Sequence, residues 1–289
     1  MMRSVGAVLT VLVALVVIWY AAAVWMNSGW ALGQAEKRGE VLSFSQLVVE
    51  TMDQKRPRLP TPHQVFGELW DTTVEKKVTS KRSLVFHGWI TLQSTLWGFA
   101  LGVVVGILLA VAIVYSRVME LSVMPWAVIS QTIPIVALAP MIIVLASSAG
   151  IEGRGVPKAI ISAYLCFFPV LVGMVKGLRS PSRDQLDLMR TYGASGAEVF
   201  WKLRMPASVP YLFASLKIGI AAALVGTIVG ELPTGAIRGL GARILIGDQF
   251  GNPIMIWSAL FAAAILAGGL VILFGVIERL TLRRMGAAR

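Results

Sequence analysis

This sequence predicts an all-α membrane protein, and three observations carry that expectation. Apolar residues make up 56% of its 289 positions and charged residues only 14%, against about 45–50% and about 25% in soluble domains. Mean hydropathy is +0.76. The apolar residues also gather in charge-free stretches close to the ~20 residues that a helix needs to cross a bilayer.

Those stretches run over residues 5–26, 88–115, 121–151, 159–175 and 249–277. A sixth is interrupted, because Lys217 and Glu231 bracket thirteen uncharged residues. Thirteen residues of helix reach about 20 Å, short of a roughly 30 Å apolar core. That span is therefore expected to begin near Pro210, with the Lys217 stem running toward the headgroups. Six transmembrane helices result. The first has a second reading, since Arg3, the apolar run and Ala21-Ala22-Ala23 resemble a cleavable signal peptide. A run that continues through Met26 is longer than a usual signal core of about 7–15 residues and favours a retained helix.

Basic residues set the orientation. With both termini inside, thirteen Lys and Arg fall on the inner side, and four, Arg154, Lys158, Arg238 and Arg243, fall in short outer loops. The bias predicts N-in, C-in. It also accounts for the net charge of +11 without a nucleic-acid partner. The organisation is then 1–26 as first helix, 27–86 as outer segment, 87–280 as a core of five helices containing an inner loop 179–209, and 281–289 as a cytoplasmic tail.

Local signals fill in the elements. Thr61-Pro62-His63-Gln64 reads as a capping box with proline at the first helical position, opening an amphipathic helix with Val65, Phe66, Leu69 and Trp70 on one side. That helix either lies on the outer membrane surface or packs on the bundle. Gly98, Gly102 and Gly106 form a stripe for close helix approach. The third span contains Pro125, Pro134 and Pro140 beside Ser130, Gln131 and Thr132. Polar groups at membrane depth line a path or join helices by hydrogen bonds, so "SQTIPIVALAP" is a candidate pathway segment. Glu231 in "VGELPTG" is a further pathway candidate, an outer gate contact or a partner for Arg238 or Arg243, aimed by a bend at Pro233 and Gly235.

The inner loop is the densest signal. Ser182 with Gln185 makes a capping box that opens a helix over 183–192, and Gly193 supplies its left-handed stop. Ser195 with Glu198 makes a second box, opening a short helix with Phe200, Trp201 and Leu203 that Pro206 is expected to break. Helices this short need something to pack against, either a groove on another protein or the membrane domain itself.

From here a resemblance enters. The loop resembles that of permease subunits of bacterial binding-protein-dependent ABC importers, whose pattern is E-A-A, three residues, G, nine residues, I-x-L-P. Gly193, nine residues and Leu203-Arg204-Met205-Pro206 keep the spacing. Asp187 stands where the family has Glu, and Leu188 and Met189 replace the alanines. "LPTPHQVF", "PIVALAPMI", "MPASVPYLF", "GEL" and "GLGARI" are similar, in order, to the subfamily for nitrate, sulfonates, taurine or thiamine-type pyrimidine precursors and flavins.

The resemblance implies a type I importer transmembrane domain in the bacterial inner membrane. Asp187, Gly193, Ala194, Ser195, Glu198, Phe200, Trp201, Leu203 and Pro206 would couple it to a cytoplasmic ATPase present in two copies. A periplasmic or lipid-anchored binding protein would deliver solute, and a second permease copy, most simply identical, would complete the pathway among membrane lipids. No cofactor or metal is expected. The chain carries no G-x-x-x-x-G-K-[ST] phosphate loop, so ATP hydrolysis belongs to a separate subunit. The competing class is an ion-coupled secondary transporter, for which Lys217 and Glu231 are the only ionisable candidates near the core. A membrane enzyme finds no nucleophile–base pair or metal-ligand cluster. Ser130, Gln131 and Thr132 offer amide and hydroxyl groups without a cationic clamp, which tips the substrate toward an uncharged or weakly charged heterocycle.

Overall fold

The computed structural model describes residues 2–151, 153, 155–233 and 237–286. Arg154, Gly235 and Arg289, used above for topology and for a bend, lie outside them. The described residues are helical with short connections, and they form two compact units, Met1–His87 with Arg243–Ala262 and Gly88–Ala242 with Ala263–Arg289.

In the first unit, α1 (Met2–Arg38) is one long helix, followed by α2 (Phe44–Met52) and α3 (Pro62–Trp70). Thr61 opens α3 as its sequence suggests, its N–H donating to Gln64 Oε1 at 3.2 Å. The segment between is held against α1. Fully buried Asn27 donates to Leu59 O at 2.9 Å and accepts from the Arg58 and Leu59 amides at 2.8 and 3.2 Å. Trp19 Nε1 donates to Pro60 O at 3.0 Å, and its ring stacks on Phe261 at 5.6 Å. Within this unit α3 turns Val65 fully inward and sets Phe66 against Phe261, while Phe66 and Trp70 remain more than half exposed.

The second unit contains most of α4 (Leu84–Tyr115), the pair α5 (Arg117–Ser130) and α6 (Ile135–Ser148), α7 (Gly155–Leu178), α8 (Arg183–Thr191), α9 (Gly196–Val199) and α10 (Met205–Glu231). Then α11 (Leu240–Gln249) and α12 (Pro253–Arg284) follow. Among the described residues, five helices are long and apolar enough to span a membrane, and α5 with α6 make a sixth candidate bent by 105°. The third span is thus broken rather than kinked. The break falls at Thr132–Pro134: Pro134 has no N–H and disfavours helix in the residue before it.

Close backbone approach builds this unit. The glycine stripe of α4 faces α7, where a Cβ on Gly98 would lie 2.3 Å from that of Ser162. Between α7 and α10, a Cβ on Gly173 would fall 2.5 Å from that of Ser215, and one on Gly226 2.9 Å from Ser162 Cα. Small residues remove the side-chain layer that otherwise separates two helices. Around this seam Cys166, Val170, Leu171, Met174 and Ile220 form a core with Phe99 and Leu270. Lys217 pairs with Glu278 of α12 at 2.7 Å.

Candidate functional site

Two assemblies and one break carry the chemistry. The first is the loop joining α7 to α10. Ser182 Oγ accepts from the Gln185 amide at 3.3 Å while Gln185 Oε1 accepts from the Ser182 amide at 3.0 Å, which opens α8. Gly193 closes it at φ 69°. The Ala194 amide then reaches back to Met189 O at 3.0 Å, a Schellman closure. Ser195 and Glu198 repeat the reciprocal cap, with the Glu198 amide donating to Ser195 Oγ at 3.3 Å and the Ser195 amide to Glu198 Oε2 at 2.9 Å. Lys202 continues that row to Glu198 at 2.8 Å, and Asp187 pairs with Arg190 at 3.1 Å.

Two expectations are corrected here. Pro206 does not end the second loop helix: α9 passes through one π-turn, Phe200–Arg204, directly into α10. In that turn the Met205 amide bonds to Phe200 O, five residues back instead of four. The slipped ladder lets a residue with no N–H follow without losing a partner. Leu203 lies inside the same turn, half-buried.

Phe200 and Trp201 also do not present together. Neighbours on a helix point about 100° apart, so one turns in. Phe200 packs on the core, edge-on to Tyr115 at 6.0 Å. Trp201 stays 66% exposed. The sequence reading missed Tyr192, 79% exposed, and Leu188, 55% exposed. Leu188 stands between Asp187 and Arg190 on α8, and Tyr192 caps that helix at its C-terminal end.

The second assembly sits at the far ends of α7 and α10. Glu231 is fully buried, and so very nearly is Lys158, whose Nζ lies 3.4 Å from Glu231 Oε1. Thr91 Oγ1 of α4 donates to the same carboxylate at 3.0 Å, and the Gly241 amide donates to Oε2 at 2.7 Å. Thr91 Oγ1 in turn accepts from the Leu240 amide at 2.8 Å. Gly239 approaches at φ 126°, where a Cβ would lie 2.2 Å from the carboxylate. One carboxylate thus binds α4, α7, α10 and the start of α11.

This corrects the reading of Lys158 as an outer-loop cation, since it lies within α7. Protein encloses Glu231, the pathway candidate, and a cation reaches it from α7. Desolvation requires it: a buried carboxylate must be paired and hydrogen-bonded.

The break between α5 and α6 brings Ser130, the last residue of α5, together with the non-helical Gln131, Thr132 and Pro134 at one corner. Ser130 and Gln131 are half-buried; Thr132 and Pro134 are exposed. Tyr164 of α7 donates to the Ser130 carbonyl, anchoring the corner on one side.

The family model for the binding-protein-dependent transport system inner membrane component matches residues 102–287. The chain belongs to that family. This permease is 32% identical over 225 residues to the riboflavin transport system permease protein of Chloroflexus aurantiacus, covering 78% of this chain and 80% of that one. It is 36% identical over 184 residues to the formylaminopyrimidine transport permease protein of Halalkalibacterium halodurans, covering 63% and 68%. The nitrate import permease protein of Leptolyngbya laminosa is 26% identical, covering 66% of this chain and 67% of that one. Among solved structures, the inward-facing MetNI methionine ABC transporter matches with a TM-score of 0.53 and 22% identity, over 71% of this chain and 96% of that one, a likeness of fold.

The permease is a multi-pass inner-membrane subunit of an ABC importer, and its family is one of transport, not catalysis. Membership sets aside the ion-coupled secondary transporter.

Proposed function

We propose that this permease moves a nitrogen heterocycle of the pyrimidine or flavin type, delivered by a separate binding protein, and that its inner loop seats on a cytoplasmic ATPase. The observation that carries the coupling half is Trp201, exposed in the turn that follows a reciprocally capped helix start, whose neighbour Phe200 is tied into the membrane unit. An aromatic anchor on a rigid turn is what a groove on a partner accepts. Two permease copies, N-in and C-in, with two ATPase copies complete the assembly. Asp187, Gly193, Ala194, Ser195 and Glu198 shape the loop rather than touch solute.

For the solute, two of the relatives above 30% identity carry heterocycles in their names, whereas the nitrate relatives stand at 26%. The corner at Ser130–Thr132 suits such a solute because it offers an amide and hydroxyls without a cation.

Two measurements test these halves. Trp201→Ala is expected to lower retention of the ATPase on the detergent-solubilised permease at least tenfold, with permease abundance unchanged, because hot-spot aromatics are worth about 2 kcal/mol or more. Undiminished retention would sink the anchor. Competition in vesicles should show uptake of a labelled pyrimidine blocked by flavin or pyrimidine analogues and untouched by nitrate or taurine. The reverse pattern selects the anion-importing alternative.

A further inference from the structure

The loop that Trp201 anchors is continuous with both α7 and α10, so what those two helices do together decides where motion goes. Three observations make them one body. Along their length the seam is backbone-close: besides Gly173 against Ser215, a Cβ on Gly177 would fall 2.8 Å from that of Ser208. At the loop end, Arg204 Nη1 donates to the last carbonyl of α7, Leu178 O, at 2.8 Å. At the far end stands the enclosed Lys158–Glu231 pair. A gate must part and re-form in each cycle. Parting this pair would strand a carboxylate and an ammonium in an enclosed interior.

We infer that Lys158–Glu231 is a clamp and not a gate: it closes α7 and α10 into a single lever, and through Thr91, Leu240 and Gly241 it makes α4 and the start of α11 travel with that lever. Displacement imposed at the inner loop then arrives at the far end undivided, and the surfaces that open for solute lie elsewhere than between α7 and α10. This deepens the coupling reading above and rests on it.

The geometry offers a direct test. A Cβ on Gly230 would lie 3.7 Å from Ile161 Cβ, close to the ~3.8 Å of a disulfide, one turn from the clamp and across the same seam. Ile161→Cys/Gly230→Cys, reconstituted with its ATPase and binding protein and oxidised with copper–phenanthroline, is expected to keep ATP-driven uptake within twofold of the reduced form. Single-cysteine variants control for the native Cys166. A reductant-reversible loss of tenfold or more would overturn the clamp, because α7 and α10 would then have to separate during transport.

The second arm removes the cation. Lys158→Gln should lower solute moved per ATP hydrolysed at least fivefold, and oxidising the cysteine pair in that background should restore most of it by substituting a covalent clamp. A ratio equal to the parent's, or no recovery on cross-linking, would count against the clamp. Should Lys158→Gln fail to assemble, Thr91→Val is read in its place, with a two- to threefold loss expected and an unchanged ratio overturning the inference. ATPase retention is measured on the same preparations. Failure of the loop reading shows as lost retention, and failure of the clamp as a wrong ratio with the ATPase retained.

Discussion

The loop between α7 and α10 and the knot at the opposite ends of those helices both hold ion pairs, in contrary ways. Asp187–Arg190 and Glu198–Lys202 lie three and four residues apart on exposed helix faces, with Asp187 65% and Arg190 80% exposed. Lys158 and Glu231 are 73 residues apart and almost completely enclosed. Exposed pairs of the first kind contribute about 0–1 kcal/mol and yield to salt. Breaking a buried pair costs far more, because one charge is left behind. The exposed loop therefore rests on weak, replaceable charge, and the enclosed knot rests on charge that cannot be removed singly.

The strongest way to break the contrast is Lys158→Met. It is expected to destabilise the permease by about 3–5 kcal/mol, read as a large drop in thermal unfolding temperature in detergent. Lys158→Met/Glu231→Gln should recover much of the loss, since no unpaired charge remains. A double variant as unstable as the single would show that the pair is worth more than the desolvation it avoids.

Next comes Gly193→Val. A β-branched residue at φ 69° costs roughly 1–3 kcal/mol locally, enough to unfold the end of α8 and to stop uptake while the subunit still assembles in the membrane. Wild-type uptake would show the turn to be conformationally ordinary. The smallest effect sharpens the surface half. Asp187→Ala should shift the unfolding temperature by no more than the ~0.5 kcal/mol typical of exposed sites, and any loss of activity would then report contact with a partner rather than stability.

The same contrast governs what was legible in the sequence. Ser182 with Gln185, Ser195 with Glu198, Thr61 with Gln64 and the stop at Gly193 were all readable, because each donor and acceptor lie within five residues and local geometry alone brings them together. The glycine stripe of α4 announced a close helix approach, and only its partner, α7, was hidden. Lys158 was misplaced because a cation beside a span boundary looks like a loop residue until its carboxylate is found 73 positions away. Thr91, 140 positions from Glu231, carried no signal at all. The errors at Pro206 and in the third span share one cause. Proline reports that a hydrogen bond is missing but not how the backbone accommodates the gap: a π-turn in one case, a 105° corner in the other.

That corner has a consequence for how the chain can live in lipid. Each of α5 and α6 has 14 residues, about 21 Å of helix, so neither alone crosses an apolar layer of about 30 Å. Acyl chains cannot solvate peptide groups, and irregular backbone survives in hydrocarbon only against protein or water. The corner answers its own donors: the Gln131, Thr132 and Ile133 amides bond to the carbonyls of Val128, Ile129 and Ser130 at 3.1, 3.0 and 3.4 Å, and Pro134 has no N–H to satisfy. The chain therefore turns by 105° here with none of these donors left for lipid to meet.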